Sequence, residues 1–168
     1  MISKATIQDI PSLTILINSA YRGETSKKGW TTEAHLLAGK RTTDEELTAI
    51  ILDPKNTFLK YTENDKIIGS VLLVEKGDQL YVGMLTVSPE LQNSGIGKKM
   101  LAEAEIHAKT LGLSTLSMTV VSVRSELIAW YKRHGYVDTG EREPFPSSDI
   151  HINISDKPLE FIYLEKHV

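Results

Sequence analysis

Leu80 to Leu111 reads LYVGMLTVSPELQNSGIGKKMLAEAEIHAKTL. It opens with an apolar run rich in β-formers, Leu80 to Val87, and Pro89 follows to stop a strand. After Gln92-Asn93-Ser94-Gly95-Ile96-Gly97, apolar residues recur at helical spacing at Ile96, Met100, Leu101, Ala104, Ala108 and Leu111. Strand, glycine turn, helix aims unpaired backbone N–H groups at one point, because the first helical turn leaves four of them without partners. The helix dipole adds partial positive charge there. Such a turn suits a phosphate or pyrophosphate, and glycines at 95 and 97 let a ligand approach the backbone closely. A purely structural turn is the other reading. No Gly-Lys-Ser/Thr follows at Walker spacing, and two glycines fall short of the three-glycine dinucleotide fingerprint.

The rest of the chain supplies a frame. Its 168 residues suffice for one domain with a core. Hydrophobic residues make up 40% and charged residues 24%, as in soluble globular proteins. A net charge of −3 argues against broad affinity for nucleic acid. No apolar run approaches the roughly 20 residues of a membrane span, and MISKATIQDI lacks a signal-peptide apolar region. The expectation is a cytoplasmic protein without nucleic-acid or membrane partners. With no cysteine there is no disulfide and no thiol nucleophile. The five histidines are scattered without metal-ligand spacing, so no metal is expected.

Ile2–Ile7 reads as a short strand, and Ile10 to Tyr21 as a helix ending near Arg22-Gly23. Glu24 to Thr43 is irregular. Thr43 to Glu46 has the spacing of a capping box before a short helix that stops at Asp53-Pro54. Asn56–Thr62, Lys66–Glu75 (with a bulge at Gly69) and the opening strand form a meander. Leu113–Val121 is a further strand and Ser122–Arg133 a helix. A strand starts at Gly135-Tyr136-Val137, Glu141–Lys157 is a long polar loop, and Leu159–Lys166 closes as a strand.

Two motifs in this order resemble the GNAT superfamily of N-acyltransferases. Gln92-x-x-Gly95-x-Gly97 resembles its acyl-CoA loop, Gln/Arg-x-x-Gly-x-Gly/Ala. The stretch Arg124 to Tyr136 resembles Asn-x-x-Ala-x-x-x-Tyr-x-x-x-Gly-Phe. Tyr131 and Gly135-Tyr136 match that second pattern, while Arg124 and Leu127 replace its Asn and Ala. The resemblance covers essentially the whole chain. It implies a single GNAT N-acetyltransferase domain over residues 1–168, of α/β (α+β) class. The expected fold is a mixed sheet of about seven strands, splayed between the fourth and fifth, with four helices.

The same resemblance implies acetyl transfer from acetyl-CoA, as co-substrate, to a primary amine by direct attack in a ternary complex. The acceptor is expected to be a small-molecule amine or a peptide N-terminus, and the protein a monomer or homodimer. Tyr131 becomes the expected catalytic acid, since a phenol of pKa ~10 can donate to a leaving CoA thiolate. Cofactor contacts are expected from Leu85, Thr86 and Val87, from Gln92 to Lys98 (Gln92, Asn93, Ser94, Gly95, Ile96, Gly97, Lys98), and from Arg124 in place of the Asn. Acceptor contacts are expected from Tyr21, Trp30, Glu33 and Tyr81. The strand before the loop carries no carboxylate, and Glu33 is one candidate base. The alternative is a non-catalytic acyl-CoA sensor, which the absent strand carboxylate and Arg124 keep open.

Overall fold

The computed structural model describes residues 1–168 except 23–25, 28, 147–151 and 156–157. Strand β1 is Ile2–Lys4 and helix α1 is Ile10–Tyr21. Strand β2 (Leu37–Ala38) precedes helix α2 (Asp44–Leu52). Strands β3 (Asn56–Glu63), β4 (Lys66–Lys76) and β5 (Gln79–Val87) form the expected meander. Helix α3 (Ile96–Thr110), strand β6 (Thr115–Val121) and helix α4 (Ser125–Arg133) follow. Strands β7 (Val137–Pro144), β8 (Ile152–Asn153) and β9 (Glu160–His167) complete the order.

Seven strands make one mixed sheet in the order β1-β3-β4-β5-β6-β9-β7. Among the described residues only β5 and β6 pair in parallel, and only from Gln79↔Thr115 to Tyr81↔Ser117. Both strands run on, to Val87 and Val121, without pairing to each other. This is the expected splay between the fourth and fifth strands of the sheet. It leaves the β6-facing backbone of β5 without ladder partners beyond Tyr81.

Alternation along β4 places apolar residues on both faces of the sheet. Val71 and Leu73 face one core with Met100, Leu101 and Ala104 of α3 and Leu127 of α4. Leu72 faces the other, with Leu13 and Ile17 of α1 and Leu47 of α2. A Cβ on Gly69 would stand 3.2 Å from Ile96 Cγ2 and from Met100 Sδ, so this glycine lets α3 lie close on the sheet.

Several local expectations change. The first strand ends at Lys4, and Ile7–Asp9 is a 3-10 turn fixed by Thr6 N–H donating to Asp9 Oδ2 at 2.8 Å. The Gly23 cap lies outside the described residues. Thr43 does cap α2, accepting from Glu46 N–H at 3.1 Å, but the Glu46 carboxylate accepts from Thr42 Oγ1 instead of completing the box. The bulge falls at Ile68, beside Gly69, where Tyr61↔Gly69 gives way to Thr62↔Ile67. Helix α4 starts at Ser125, not Ser122. Part of the polar loop from 141 is strand: β7 extends to Pro144 against β9. The two irregular stretches also meet, because β2 pairs with β8 through Leu37↔Asn153 and Ala38↔Ile152. Two-residue strands lack the alternation by which strands are recognised.

Candidate functional site

The glycine turn is built as its composition requires. Asn93 and Gly95 both have positive φ, +70° and +87°, a region that Asn and Gly enter most readily. Gly95 ends the turn and α3 begins at Ile96. A Cβ on Gly97 would stand 3.2 Å from the Trp130 ring, so the glycine allows an indole to rest on the first turn of α3. Gln92 acts as a clamp. Its Nε2 donates to Thr31 Oγ1 and to Val87 O (3.3 Å), and its Oε1 accepts from Thr31 N–H (3.3 Å).

A cavity of about 270 Å³ opens at this turn. Its floor is Gln92 to Lys98, each residue of which lines it, and one wall is Leu85 and Val87 of β5. Trp30, Trp130, Tyr131 and His134 form the opposite wall. The two indoles lie 6.2 Å apart between centroids, and the His134 ring lies 4.3 Å from Trp130.

A second cavity, of about 190 Å³, lies in the splay between β5 and β6. Its polar lining includes Arg22, Glu33, Arg41, Tyr81 and Arg124, and Phe145, Pro146 and Phe161 close one side. Tyr81 bridges the splayed strands through a 2.7 Å hydrogen bond with Thr119 Oγ1. Met84 takes a positive φ of +49°, and the β4–β5 register shifts there between Ser70↔Thr86 and Leu72↔Gly83.

Four residues line both cavities: Tyr21, Leu85, Leu127 and Tyr131. Tyr21 donates through its hydroxyl to Leu85 O, within the stretch of β5 that does not pair with β6. The Tyr131 side chain is held edge-on between Trp130 and Tyr136, at 5.2 and 5.9 Å. Its hydroxyl forms no hydrogen bond among the described residues. Burial raises the Tyr131 phenol well above its ordinary pKa, the neighbouring Tyr21 adds to the rise, and Arg124 opposes it. Tyr131 therefore stays protonated, and a donor, across the neutral range.

Beneath the junction sits a buried charge cluster. Glu33 accepts from Arg22 Nε at 2.7 Å and lies 2.6 Å from Arg22 Nη2. Arg124 Nη1 approaches the other Glu33 oxygen at 3.6 Å. Arg124 also donates to Thr31 O and, at 3.4 Å, to Thr32 O. Burial lowers the Arg22 pKa and Glu33 works against that. Both Glu33 oxygens are engaged by guanidiniums, one by Arg22 and the other by Arg124.

Most residues expected at the cofactor do line the first cavity. Two do not. Thr86 turns into the core, where its Oγ1 donates to Met84 O at 2.9 Å, because alternation sends it opposite to Leu85 and Val87. Arg124 lines the second cavity, drawn there by Glu33 and the Thr31 carbonyl. Among the residues expected at the acceptor, Glu33 and Tyr81 line the second cavity, Tyr21 lines both, and Trp30 lines the first. Arg22 and Arg41 belong to the irregular stretch from Tyr21 to Thr43 that was expected to shape the acceptor pocket, and both line the second cavity; Trp130 and His134 were not anticipated at either cavity. For His134 a signal was present, since it lies three residues after Tyr131 at the C-cap of the same helix; for Trp130, directly before Tyr131, helical spacing gives none. Among the described residues, no three His, Asp or Glu side chains converge as a metal site would require.

Comparison with known proteins gives consistent matches. Residues 26–146 match the family model of the acetyltransferase (GNAT) domain. An IAA acetyltransferase of Azospirillum brasilense is 26% identical over 108 residues, 63% of this chain and 70% of that protein. The ribosomal-protein-S18-alanine N-acetyltransferase of Escherichia coli superposes with a TM-score of 0.73 at 15% identity, covering 100% of this chain and 93% of that one. The PaiA N-acetyltransferase of Thermoplasma acidophilum, solved in complex with coenzyme A, superposes with a TM-score of 0.70 at 19% identity, covering 100% and 98%.

Proposed function

This chain belongs to the GNAT acetyltransferase family, and on that footing we propose that it is an N-acetyltransferase moving an acetyl group from acetyl-CoA to a primary amine by direct attack in a ternary complex. The observation that carries this reading is the junction: two cavities of different character meet at Tyr131. A donor in one and an acceptor in the other would bring two reactants together without an enzyme-bound intermediate. The sheet runs from β1 to β9, which supports residues 1–168 as one acetyltransferase domain.

Acetyl-CoA supplies an activated thioester. The N–H groups of the turn and the first turn of α3 would hold its pyrophosphate, with Lys98 adding charge. Lys99 turns away, its Nζ lying 5.9 Å from the centre of the Tyr61 ring. The unpaired edge of β5 would bind the pantetheine amides as an added strand does. The neutral amine attacks the thioester carbon, the carbon–sulfur bond breaks, and the thiolate accepts a hydrogen bond from the Tyr131 hydroxyl. Glu33 is committed to Arg22 and Arg124, so the acceptor's proton is assigned to solvent and the enzyme binds the free-amine fraction.

The same commitment of Glu33 favours a second reading, a sensor that binds acyl-CoA without turnover. Thiol release from acetyl-CoA with a panel of amines decides between them. Release that depends on both enzyme and amine supports transfer. Tight acetyl-CoA binding without release with any amine supports the sensor.

A further inference from the structure

Among its described lining residues the second cavity has an unbalanced charge. Three guanidiniums, those of Arg22, Arg41 and Arg124, face one carboxylate, Glu33. That carboxylate is engaged by Arg22 at 2.6 Å and Arg124 at 3.6 Å. Arg41 is left over. Its backbone N–H is anchored to Asn18 Oδ1 at 2.7 Å, and its guanidinium lies 5.9 Å from the centre of the Tyr21 ring. Among the described residues that guanidinium has no ion pair and no hydrogen bond. A half-buried guanidinium facing a cavity, with its planar fork of donors unused, matches a carboxylate or similar oxyanion in a bidentate pair.

We propose that the acceptor is a small amine that itself carries a carboxylate or an equivalent oxyanion, seated on Arg41 with its apolar body against Phe145 and Phe161. This deepens the acetyl-transfer reading and rests on it. Tyr21 stacks beside Arg41 and lines both cavities. An oxyanion held at Arg41 therefore leaves the neighbouring amine of a short molecule free to reach the junction at Tyr131. The phenylalanine rings stand 5.0 Å apart and give the cavity an apolar side. Polyamines fit poorly, because they would bring further positive charge to a cavity with surplus positive charge. A peptide N-terminus lacks the adjacent oxyanion.

Matched pairs of acceptors that differ only in the carboxylate test this: L-leucine against isopentylamine, and L-phenylalanine against 2-phenylethylamine. The expected result is a KM, expressed as free-amine concentration so that the lower basicity of an α-amino group does not enter, about ten- to a hundredfold lower for the amino acid, with kcat changing less, because the anchor acts in ground and transition states alike. Arg41→Gln should bring the two KM values within about threefold of each other; Arg41→Lys should keep part of the difference. Acetylation of the plain amines with equal or lower KM overturns the proposal and leaves acetyl transfer standing. If neither member of either pair is acetylated, calorimetry in the presence of CoA decides, using N-acetyl-L-leucine against N-isopentylacetamide. Tighter binding of the carboxylate supports the oxyanion anchor even though transfer has failed; equal binding, or none, overturns it.

Discussion

The two cavities that meet at Tyr131 are made of different material. The first is backbone: a glycine turn, the open end of α3 and the unpaired edge of β5, with indoles laid over them. The second is long side chains brought from distant places, with Arg22 after α1, Glu33 and Arg41 on the segment before α2, and Arg124 before α4. The first suits a ligand whose phosphates and amides want main-chain partners. The second suits a ligand whose identity is set by charge and shape. On the proposed reading one chain holds a generic donor site beside a particular acceptor site, and the two should fail differently when altered.

The largest effect is expected on the donor side. Gly97→Asp would press a side chain into Trp130 and set a negative charge facing phosphate. It should weaken acetyl-CoA binding by about a thousandfold, or ~4 kcal/mol, in a direct titration. Binding within about threefold of the parent would mean that this cavity does not hold the donor. At the junction, Tyr131→Phe should lower kcat at least about a hundredfold while acetyl-CoA affinity stays nearly constant. An unchanged kcat would remove Tyr131 from the chemistry.

Stability should divide the two sides the other way. Glu33→Gln removes the carboxylate that compensates two buried guanidiniums. It should cost about 3 kcal/mol in denaturant unfolding. Gln92→Ala removes a clamp of neutral hydrogen bonds and should cost only ~1 kcal/mol. The reverse ranking would show that the charge cluster is not the structural centre of the acceptor side. The smallest effect is in pH. With solvent taking the proton, kcat/KM should rise with pH along the acceptor's own ionisation. The raised Tyr131 pKa keeps its hydroxyl protonated past the ordinary phenol value, so no decline due to this group should begin below about pH 10. A falling limb centred near pH 8 that disappears in Tyr131→Phe would contradict the assignment.

The contrast also explains what could be read from the sequence. The strands, the turn and α3 were legible because each is local, whereas the splay was expected only through the resemblance to the family. Alternation marks β5, glycines mark the turn, and helical spacing marks α3. Tyr131 was legible through its spacing to Gly135. The charge cluster was not, since nothing local links Arg22 to Glu33 or Arg41 to Tyr21. Arg124 shows the limit of positional reasoning. It stands where the family pattern has Asn, yet its longer side chain is drawn to Glu33 and Thr31 and lines the second cavity. The β2–β8 pair was hidden for the same reason, because two residues give no period to read.

The central claim is that both substrates occupy their cavities together and the acetyl group crosses directly at Tyr131. Initial-rate kinetics with acetyl-CoA and the acceptor varied against each other test it most directly. Intersecting double-reciprocal lines are the predicted result. Parallel lines, the signature of a ping-pong reaction through an acetyl-enzyme, would contradict the account.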